Sequence, residues 1–532
     1  MIKKTTLIVV LLLLGYTNYA QRNVVLIIAD DLGKEYCDMY PDHAANVVKL
    51  PNVKRLLERG IVFNNAWSNP LCSPTRAGIL TGRYSFRTGV GDVVDGSNTK
   101  LSLTENTIPK VLNLYSPNGI SKACIGKWHV TTAALAGYNY PNTMGFDHYE
   151  GNLAGALGQP GQLVDGFYNW TKITNGIKST CTNYATTENV NNAISYISGQ
   201  AATKPFYLHL AFNAPHTPYH LPPTNLIAAN TLAGTQTDID TNPVPYFQAM
   251  VEAMDTEIGR FFDYLISSGK WDNTDIIFIG DNGDDNRVAQ TNPSKGSIYQ
   301  GGVTVPFIIS GPDVVNPNRS SNALVNTVDL FATILELFGD TNWQSRIPTT
   351  VVDSHSLMPI LLNTATSVRS GAFTEIFKNI PVVGDGKTMR NGDYKLLKFD
   401  NGTEKFFNLT TDPTEKTNLL LGTLNAVQTA NYTSLCNEMS TLVGSTNYCN
   451  PTFLNNESFE VNENRVYPNP FQSTIHLKSY SGNEKYELYS SFGQLIYSGS
   501  MIEKQDFSAF PNGVYFLRIK DTSTTTVKLL KE

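Results

Sequence analysis

Short apolar runs that end in polar clusters recur along most of the chain. The first is NVVLIIADD, residues 23–31, and the same pattern returns in SKACIGKWH, KPFYLHLAFNAPH, TDIIFIGDN and TVPFIISGP. Continuous apolar runs of this length are typical of strands buried on both faces of a mainly parallel sheet. We therefore predict a strand in each run, with the polar cluster lying just beyond it.

Helical patterns separate these strands. PNVKRLLERG opens with Pro51 and closes with Gly60, and PYFQAMVEAMDTEIGRFFDYLISSG places apolar residues three and four positions apart. Such alternation predicts an α/β domain, a large mainly parallel sheet flanked by helices, over residues 21–370. Shorter segments over residues 371–455 predict a small antiparallel subdomain. Alternating strands with Gly, Asn and Pro turns predict a terminal β-sandwich over residues 460–532.

The amino-terminal residues form a separate pattern. MIKKTTLIVVLLLLGYTNYA, residues 1–20, has two lysines, an apolar run and a polar end, as in a secretory signal peptide. The alternative is a membrane anchor, but the run is too short to cross a bilayer comfortably, and we predict no stable membrane span. The net charge of -6 argues against nucleic acid as a partner, although it leaves room for a local basic pocket.

Polar groups follow several predicted strands, and the carboxyl ends of parallel strands share one edge of a sheet. We expect these groups to meet there: Asp30, Asp31, Lys127, His129, His216, Asp281 and Asn282. Their carboxylate and amide oxygens suit a hard divalent ion, Ca²⁺ or Mg²⁺. Arg76, Lys127 and Lys295 favour a compact anion such as sulfate or phosphate, and the two histidines suit proton transfer during ester cleavage.

Cys72 lies in NPLCSPTRAGILTGR, just before a helix-like segment. A helix amino terminus favours negative charge, so this thiol is a candidate nucleophile with a lowered pKa. A buried free thiol and one half of a disulfide are the alternatives. Six cysteines in 532 residues are too few for a disulfide-built scaffold, and Cys436 with Cys449 is the expected pair because the two are close in a loop-rich region.

The motif CSPTR resembles the Cys-x-Pro/Ala-x-Arg signature of the type I sulfatases, within the alkaline phosphatase superfamily. The similarity covers roughly residues 23–420, because NVVLIIADDLG, GKWHV, APHTPY, GDNG and KGSIYQGGVTVPFIISGP follow in the family's order. The resemblance implies that a maturation enzyme oxidises Cys72 to Cα-formylglycine. One oxygen of its hydrated diol would attack sulfur, and the other would later expel sulfate.

The same resemblance implies residue roles. Calcium ligands would be Asp30, Asp31, Asp281, Asn282 and the formylglycine at position 72. The catalytic set would be Cys72, Arg76, Lys127, His129, His216 and Lys295. Arg76 would orient the diol, Lys127 would hold nucleophile and sulfate, and His129 would take the diol proton. His216 and Lys295 would bind sulfate, with His216 as the proton donor to the leaving oxygen.

Residues 460–532 carry a second resemblance. VYPNPFQSTIHL, YELYSSFGQLIYSG and FPNGVYFLRIKD are similar to the C-terminal sorting domain of the type IX secretion system of Bacteroidota, rather than to a carbohydrate-binding sandwich. The expected protein is a secreted or cell-surface sulfatase acting on a sulfated poly- or oligosaccharide. The alternatives are a phosphomonoester or phosphonate hydrolase of the same superfamily, and a non-catalytic protein that binds sulfated glycans. Loops 91–100 and 151–168, with nearby aromatics, are the expected substrate-selective region.

Overall fold

The chain consists of two compact units, Met1–Asn450 and Pro451–Glu532. The computed structural model describes residues 22–41, 45–95, 99–157, 166–445, 448–449, 466–478, 484–490, 494–520 and 524–532. The predicted signal peptide, residues 1–20, lies outside these ranges. Among the described helices, none has both the length and the apolar character needed to cross a membrane.

The first unit is built on a ten-stranded sheet. Its strands are β1 Asn23–Ala29, β2 Gly60–Trp67, β3 Ser121–Lys127, β4 His148–Asn152, β5 Trp170–Thr174, β6 Ile177–Cys181, β7 Phe206–Ala211, β8 Thr274–Gly280, β9 Phe307–Ser310 and β10 Arg319–Asn326. The order across the sheet is β10-β2-β9-β8-β1-β7-β3-β4-β5-β6. The central strands β8, β1, β7, β3 and β4 are all parallel. The predicted α/β class is therefore confirmed.

Strand β9 differs from the parallel pattern, because it runs antiparallel to both β8 and β2. An antiparallel neighbour does not need a helical crossover connection. The long loop between β8 and β9 can therefore stay at one edge of the sheet. That loop carries Lys295.

Helices cover both faces of the sheet, so β1 is fully buried along its length. The helices of the first unit are α1 Cys72–Thr81, α2 Ser85–Thr88, α3 Ile108–Tyr115, α4 Ala133–Ala136, α5 Tyr140–Thr143, α6 Ala185–Ser198, α7 Gln236–Thr241, α8 Pro243–Ser267, α9 Gln300–Val303, α10 Leu330–Leu337, α11 Met358–Leu361 and α12 Ala426–Val443. The segment predicted as a helix after Pro51 is a 3₁₀ helix, Val53–Arg59. Asp255 on α8 accepts hydrogen bonds from the backbone of Asn52 and Val53 at its start.

A second, antiparallel sheet follows the large one, as predicted. It comprises β11 Ala372–Ile376, β12 Gly386–Arg390, β13 Tyr394–Phe399 and β14 Glu404–Asn408, paired in chain order. Helix α12 packs on β12 and β13. A disulfide joins Cys436 on this helix to Cys449, the expected pair.

A buried ion pair fastens this small sheet to the large one. Lys395 on β13 lies 2.8 Å from Glu415, and both side chains are almost fully buried. The Lys395 ammonium also lies 4.8 Å above the ring of Trp67, at the end of β2. The other Glu415 oxygen accepts the backbone N–H of Gln300, whose side chain accepts the Trp67 indole N–H. The arrangement therefore joins β13, β2 and α9.

We expect Glu415→Ala to destabilise the first unit by about 3–5 kcal/mol, because it leaves a buried ammonium without its partner. The double variant Lys395→Met/Glu415→Leu should recover most of this loss, since it removes both buried charges. Thermal unfolding followed by calorimetry measures the effect. The matched control is Asp263→Ala, which breaks an exposed pair with Arg55 and should cost about 1 kcal/mol or less. Equal unfolding midpoints for the Glu415 and Asp263 variants would contradict the prediction.

The second unit is a small all-β fold. Strands β17 Lys485–Ser490, β18 Leu495–Gly499, β19 Gly513–Lys520 and β20 Thr524–Lys531 form an antiparallel sheet in the order β18-β17-β19-β20. Strands β15 Val466–Tyr467 and β16 His476–Leu477 form a second, two-stranded sheet. Both sheets contribute to one apolar core, as in the predicted sandwich.

Candidate active site

The polar residues predicted at the strand ends do meet at one edge of the large sheet. Asp30 and Asp31 directly follow β1, Asp281 and Asn282 directly follow β8, and Lys127 ends β3. Strand β1 lies between β7 and β8, and β3 lies on the other side of β7. These loops are therefore neighbours. They bring together residues about 250 positions apart, such as Asn282 and Asp31, which are 2.7 Å apart in a hydrogen bond.

Cys72 is the first residue of α1 and faces this edge. Leu71 before it is extended, and the helix ends where Gly82 adopts the left-handed conformation, with φ 67°. The Cys72 Sγ lies 3.1 Å from Nδ1 of His129, and both side chains are buried. Burial raises the pKa of the Cys72 thiol, although Lys127 and Lys295 oppose the effect. The expected lowering of this pKa is therefore wrong, because desolvation outweighs the two lysines.

Arg76 lies one helical turn after Cys72, on the same face of α1. Its Nε and Nη2 donate to one oxygen of Asp281 at 3.1 and 2.7 Å, and its Nη1 donates to the carbonyl of Lys127 at 3.1 Å. Arg76 is 1% exposed. It therefore connects the start of α1 to the ends of β8 and β3.

Two lysines pair with the aspartates that follow β1. Lys127 Nζ lies 2.5 Å from Asp30, and Lys295 Nζ lies 2.6 Å from Asp31. Burial opposes ionisation of Asp31, but Lys295 and His216 together lower its pKa. Burial raises the pKa of Asp30, and Lys127 opposes that rise. Each carboxylate thus has its own cation in the buried site.

The two histidines are held in fixed orientations and are neutral. Nδ1 of His216 lies 2.7 Å from the carbonyl oxygen of Thr217, to which it donates, so Nε2 faces Asp31 at 3.7 Å. Burial lowers the pKa of His216 to about 3, against the opposing charge of Asp31. Burial, followed by Lys127 and Arg76, lowers the pKa of His129. A Cβ at Gly155 would lie 2.6 Å from Nε2 of His129, so only glycine allows this backbone to approach the ring.

The oxygen atoms of the site fit a hard divalent cation. Oδ1 of Asp30 and Oδ1 of Asn282 are buried and accept no hydrogen bond from the described residues, although Arg76 Nη2 lies 3.6 Å from the Asp30 oxygen. The side-chain nitrogen of Asn282 donates to Asp31 and to the carbonyl of Gly283, so the side-chain oxygen is the atom that can bind a cation. Ligand atoms of Asp30, Asp31 and His216 lie within 4.8 Å of one another. Buried oxygens without donors are costly, and Ca²⁺ or Mg²⁺ would satisfy them.

The charges of the site explain why it suits an anion. Asp30, Asp31 and Asp281 face Arg76, Lys127 and Lys295, so the side-chain charges balance when all six are ionised. A divalent cation held by Oδ1 of Asp30 and Oδ1 of Asn282 would add two positive charges to this buried site. That surplus favours an anionic group close to Cys72.

Residues 22–340, more than half of the chain, match the Sulfatase family. The chain belongs to the sulfatase family, whose members hydrolyse sulfuric esters. Residues 294–442 also match the C-terminal region of N-sulphoglucosamine sulphohydrolase. Residues 465–532 match a secretion system C-terminal sorting domain.

Several known sulfatases resemble this chain at moderate identity. A sulfatase of Formosa agariphila is 25% identical over 490 residues, covering 75% of this chain and 84% of the relative. Human N-acetylgalactosamine-6-sulfatase is 26% identical over 379 residues, covering 64% of this chain and 66% of the human protein. The crystal structure of Ps i-CgsB matches with a TM-score of 0.63 and 25% identity, covering 79% of this chain and 92% of that one.

In this sulfatase, the structure brings together all of the residues predicted for the site. Sequence reasoning missed the Thr217 carbonyl, which orients His216, and Gly155, which leaves room for the ring of His129. The APHTPY motif contains Thr217, but its carbonyl contact depends on the fold of the loop after β7. Of the aromatic residues in or near the expected substrate-selective loops, Tyr140, Phe167 and Trp170 are buried in the apolar cores. Parts of loops 91–100 and 151–168 lie outside the described residues.

Proposed function

We propose that this protein is a secreted, calcium-dependent sulfatase that hydrolyses a sulfate monoester on a poly- or oligosaccharide to an alcohol and inorganic sulfate. One observation carries the proposal. Cys72 begins a helix inside a buried group of three cations and two histidines, with His129 Nδ1 at 3.1 Å. Its raised pKa disfavours a thiolate nucleophile, which is consistent with a residue used after oxidation to formylglycine.

Formylglycine, once hydrated, would supply a diol with one oxygen for attack on sulfur and a second for release of sulfate. The surrounding side chains have separate tasks. Arg76 would hold the nucleophile in place, since it is itself fixed by Asp281 and by the Lys127 carbonyl. Lys127 and Lys295 would bind the sulfate oxygens and stabilise the charge that develops on them.

Proton transfer falls to the two histidines. His129, held neutral beside position 72, would accept the diol proton through Nδ1. His216 is also neutral, with Nε2 facing the anion site. A bound sulfate ester would raise its pKa by adding negative charge nearby, so that Nε2 carries a proton for the leaving oxygen. Asp30, Asp31, Asp281 and Asn282 would hold the calcium ion, which would neutralise charge on a sulfate oxygen.

The saccharide substrate and the secretion route also belong to this proposal. Human N-acetylgalactosamine-6-sulfatase, by its name, acts on a sulfated sugar. We assign residues 1–20 as the signal peptide, 21–370 as the catalytic domain, 371–455 as its antiparallel subdomain and 460–532 as the sorting domain. The sorting domain supports export by a type IX system, and a formylglycine-generating enzyme would act before export.

A paired assay tests the reaction class. We expect the matured enzyme to hydrolyse 4-nitrophenyl sulfate with kcat/KM at least about tenfold above that for 4-nitrophenyl phosphate. A phosphomonoester hydrolase would reverse this ratio. A protein that only binds sulfated glycans would turn over neither ester, yet would retain the oligosaccharides in a binding assay.

A further inference from the structure

Arg287 lies near the site but has no part in the proposed reaction. It belongs to the loop between β8 and β9, which begins with Asp281 and Asn282 and contains Lys295. The backbone N–H of Lys295 donates to the carbonyl of Asp284 at 3.2 Å. Ser294 donates to the side chain of Asn286 at 2.8 Å. The turn that carries Arg287 is therefore fastened to the sulfate-binding lysine.

The side chain of Arg287 is held in place on two sides. Its Nε donates to Asp285 at 2.9 Å, and its guanidinium carbon lies 4.9 Å from the ring centre of Tyr219. Tyr219 is 4% exposed and follows His216 by three positions, and its hydroxyl has no hydrogen-bond partner among the described residues. Arg287 thus packs on the loop that carries His216 and belongs to the loop that carries Lys295. Both of these residues are predicted to bind sulfate.

The two terminal guanidinium nitrogens of Arg287 are available to bind a ligand. Its side chain is 56% exposed, and only Nε of the guanidinium is hydrogen-bonded to a described side chain or backbone atom. The two terminal nitrogens have no such bond within the described ranges. Burial opposes the charged form, but the hydrogen bond and charge of Asp285, with smaller electrostatic contributions from Tyr219 and Asp31, raise the pKa of Arg287. Its place beside the anion site follows from geometry: Arg287 shares the loop of Lys295, and its guanidinium lies over Tyr219, three positions after His216.

This geometry fits recognition of a second anion. A guanidinium with two free terminal nitrogens binds carboxylate or sulfate oxygens in a bidentate manner, and stacking limits the entropy lost on binding. Asp285 fixes the orientation of the guanidinium through Nε and leaves its two terminal nitrogens free to bind an anion. A structural ion pair alone would not require the two terminal nitrogens of Arg287 to face solvent.

We propose that Arg287 is a specificity-determining residue that binds a second anionic group of the substrate. That group is a carboxylate or a further sulfate ester on the saccharide bearing the reacting sulfate. The inference rests on the proposed sulfatase function and narrows its substrate class to saccharides with at least two anionic groups near the scissile ester.

Inhibition of aryl sulfate hydrolysis tests this assignment, using the matured full-length enzyme and 4-methylumbelliferyl sulfate, which has no second anion. One pair of inhibitors is a monosulfated and a disulfated galactan oligosaccharide. The other is a monosulfated uronate disaccharide and its methyl ester. We expect the wild type to prefer the member with two anions in at least one pair, by about tenfold or more in the inhibition constant.

Arg287→Gln should abolish this preference while leaving aryl sulfate turnover within about twofold, and Arg287→Lys should restore only part of it. The matched control is Arg55→Gln. Arg55 also pairs with an aspartate and lies above an aromatic ring, that of Trp271, but it lies on the 3₁₀ helix before β2. An unchanged preference in Arg287→Gln, or none in the wild type, would overturn the assignment.

The two proposals fail in different ways. Absence of aryl sulfate hydrolysis by the matured wild type would count against the sulfatase reaction. Calorimetric titration with the same oligosaccharide pairs then tests Arg287 directly, since it needs no turnover. Equal binding of both members of each pair by the wild type would overturn the specificity role.

Discussion

Replacing Cys72 by alanine should lower kcat for aryl sulfate by at least about 10⁴-fold, because it removes the residue from which the nucleophile is made. The protein should remain folded, since a buried thiol is exchanged for a smaller apolar side chain and no charge is left unpaired. Turnover of 4-nitrophenyl sulfate measures the loss, and thermal unfolding checks the fold. Substrate binding by Lys127 and Lys295 should persist in the variant.

The control is Cys181→Ala, which removes another free cysteine, on the edge strand β6, and should retain full activity. Peptide mass spectrometry supplies the chemical evidence. In protein from a maturation-competent host, the tryptic peptide over residues 60–76 should be about 18 Da lighter than its thiol form. An unmodified, alkylatable Cys72 in active enzyme would contradict the formylglycine nucleophile and point to thiol chemistry.

Removing calcium should abolish activity and lower the unfolding midpoint. The proposed ion would be held by oxygens of Asp30 and Asn282 that accept no hydrogen bond from the described residues, and its removal would take two positive charges from the pocket. At a free calcium concentration of 100 times Kd, binding should stabilise the native state by about 2.7 kcal/mol. Calorimetry of protein dialysed against EGTA, with and without added Ca²⁺, measures the shift directly.

Asp30→Asn should lose most of this calcium-dependent shift, because it replaces an anionic ligand with a neutral amide. Asp263→Asn is the control. Its carboxylate is 71% exposed and pairs only with Arg55 among the described residues, so the shift should be unchanged. Stabilisation by Mg²⁺ but not Ca²⁺ would correct the identity of the ion. Full activity after exhaustive chelation would contradict a metal-dependent site.

Much of the fold could be read from local patterns. The run over residues 23–31 predicted β1, because a strand buried on both faces must be apolar throughout. The spacing of apolar residues predicted α8. The convergence of Asp30, Lys127, His216 and Asp281 also followed, since the carboxyl ends of parallel strands share one edge.

Other features depended on contacts between distant segments. The residues after Pro51 have helical spacing in either helix type, and hydrogen bonds to Asp255 accompany the 3₁₀ form. Phe167 and Trp170 lie in or beside loop 151–168 but are buried in an apolar core that distant segments of the chain complete. The antiparallel direction of β9 likewise leaves no mark in its own sequence, which is apolar in either orientation.

The sequence by itself determined the chemical character of this protein: the α/β class, the motif around Cys72 and the types of side chain at the strand ends. Only the tertiary structure decided their physical state. Burial, a property of the whole packed core, outweighs the nearby lysines and raises the pKa of Cys72. Chain segments far apart in sequence place Arg287 beside Tyr219 and leave Oδ1 of Asp30 and of Asn282 without a hydrogen-bond donor among the described residues. Interatomic distances and the desolvation of side chains depend on how the whole chain packs. Apolar periodicity and sequence motifs are instead properties of short local segments.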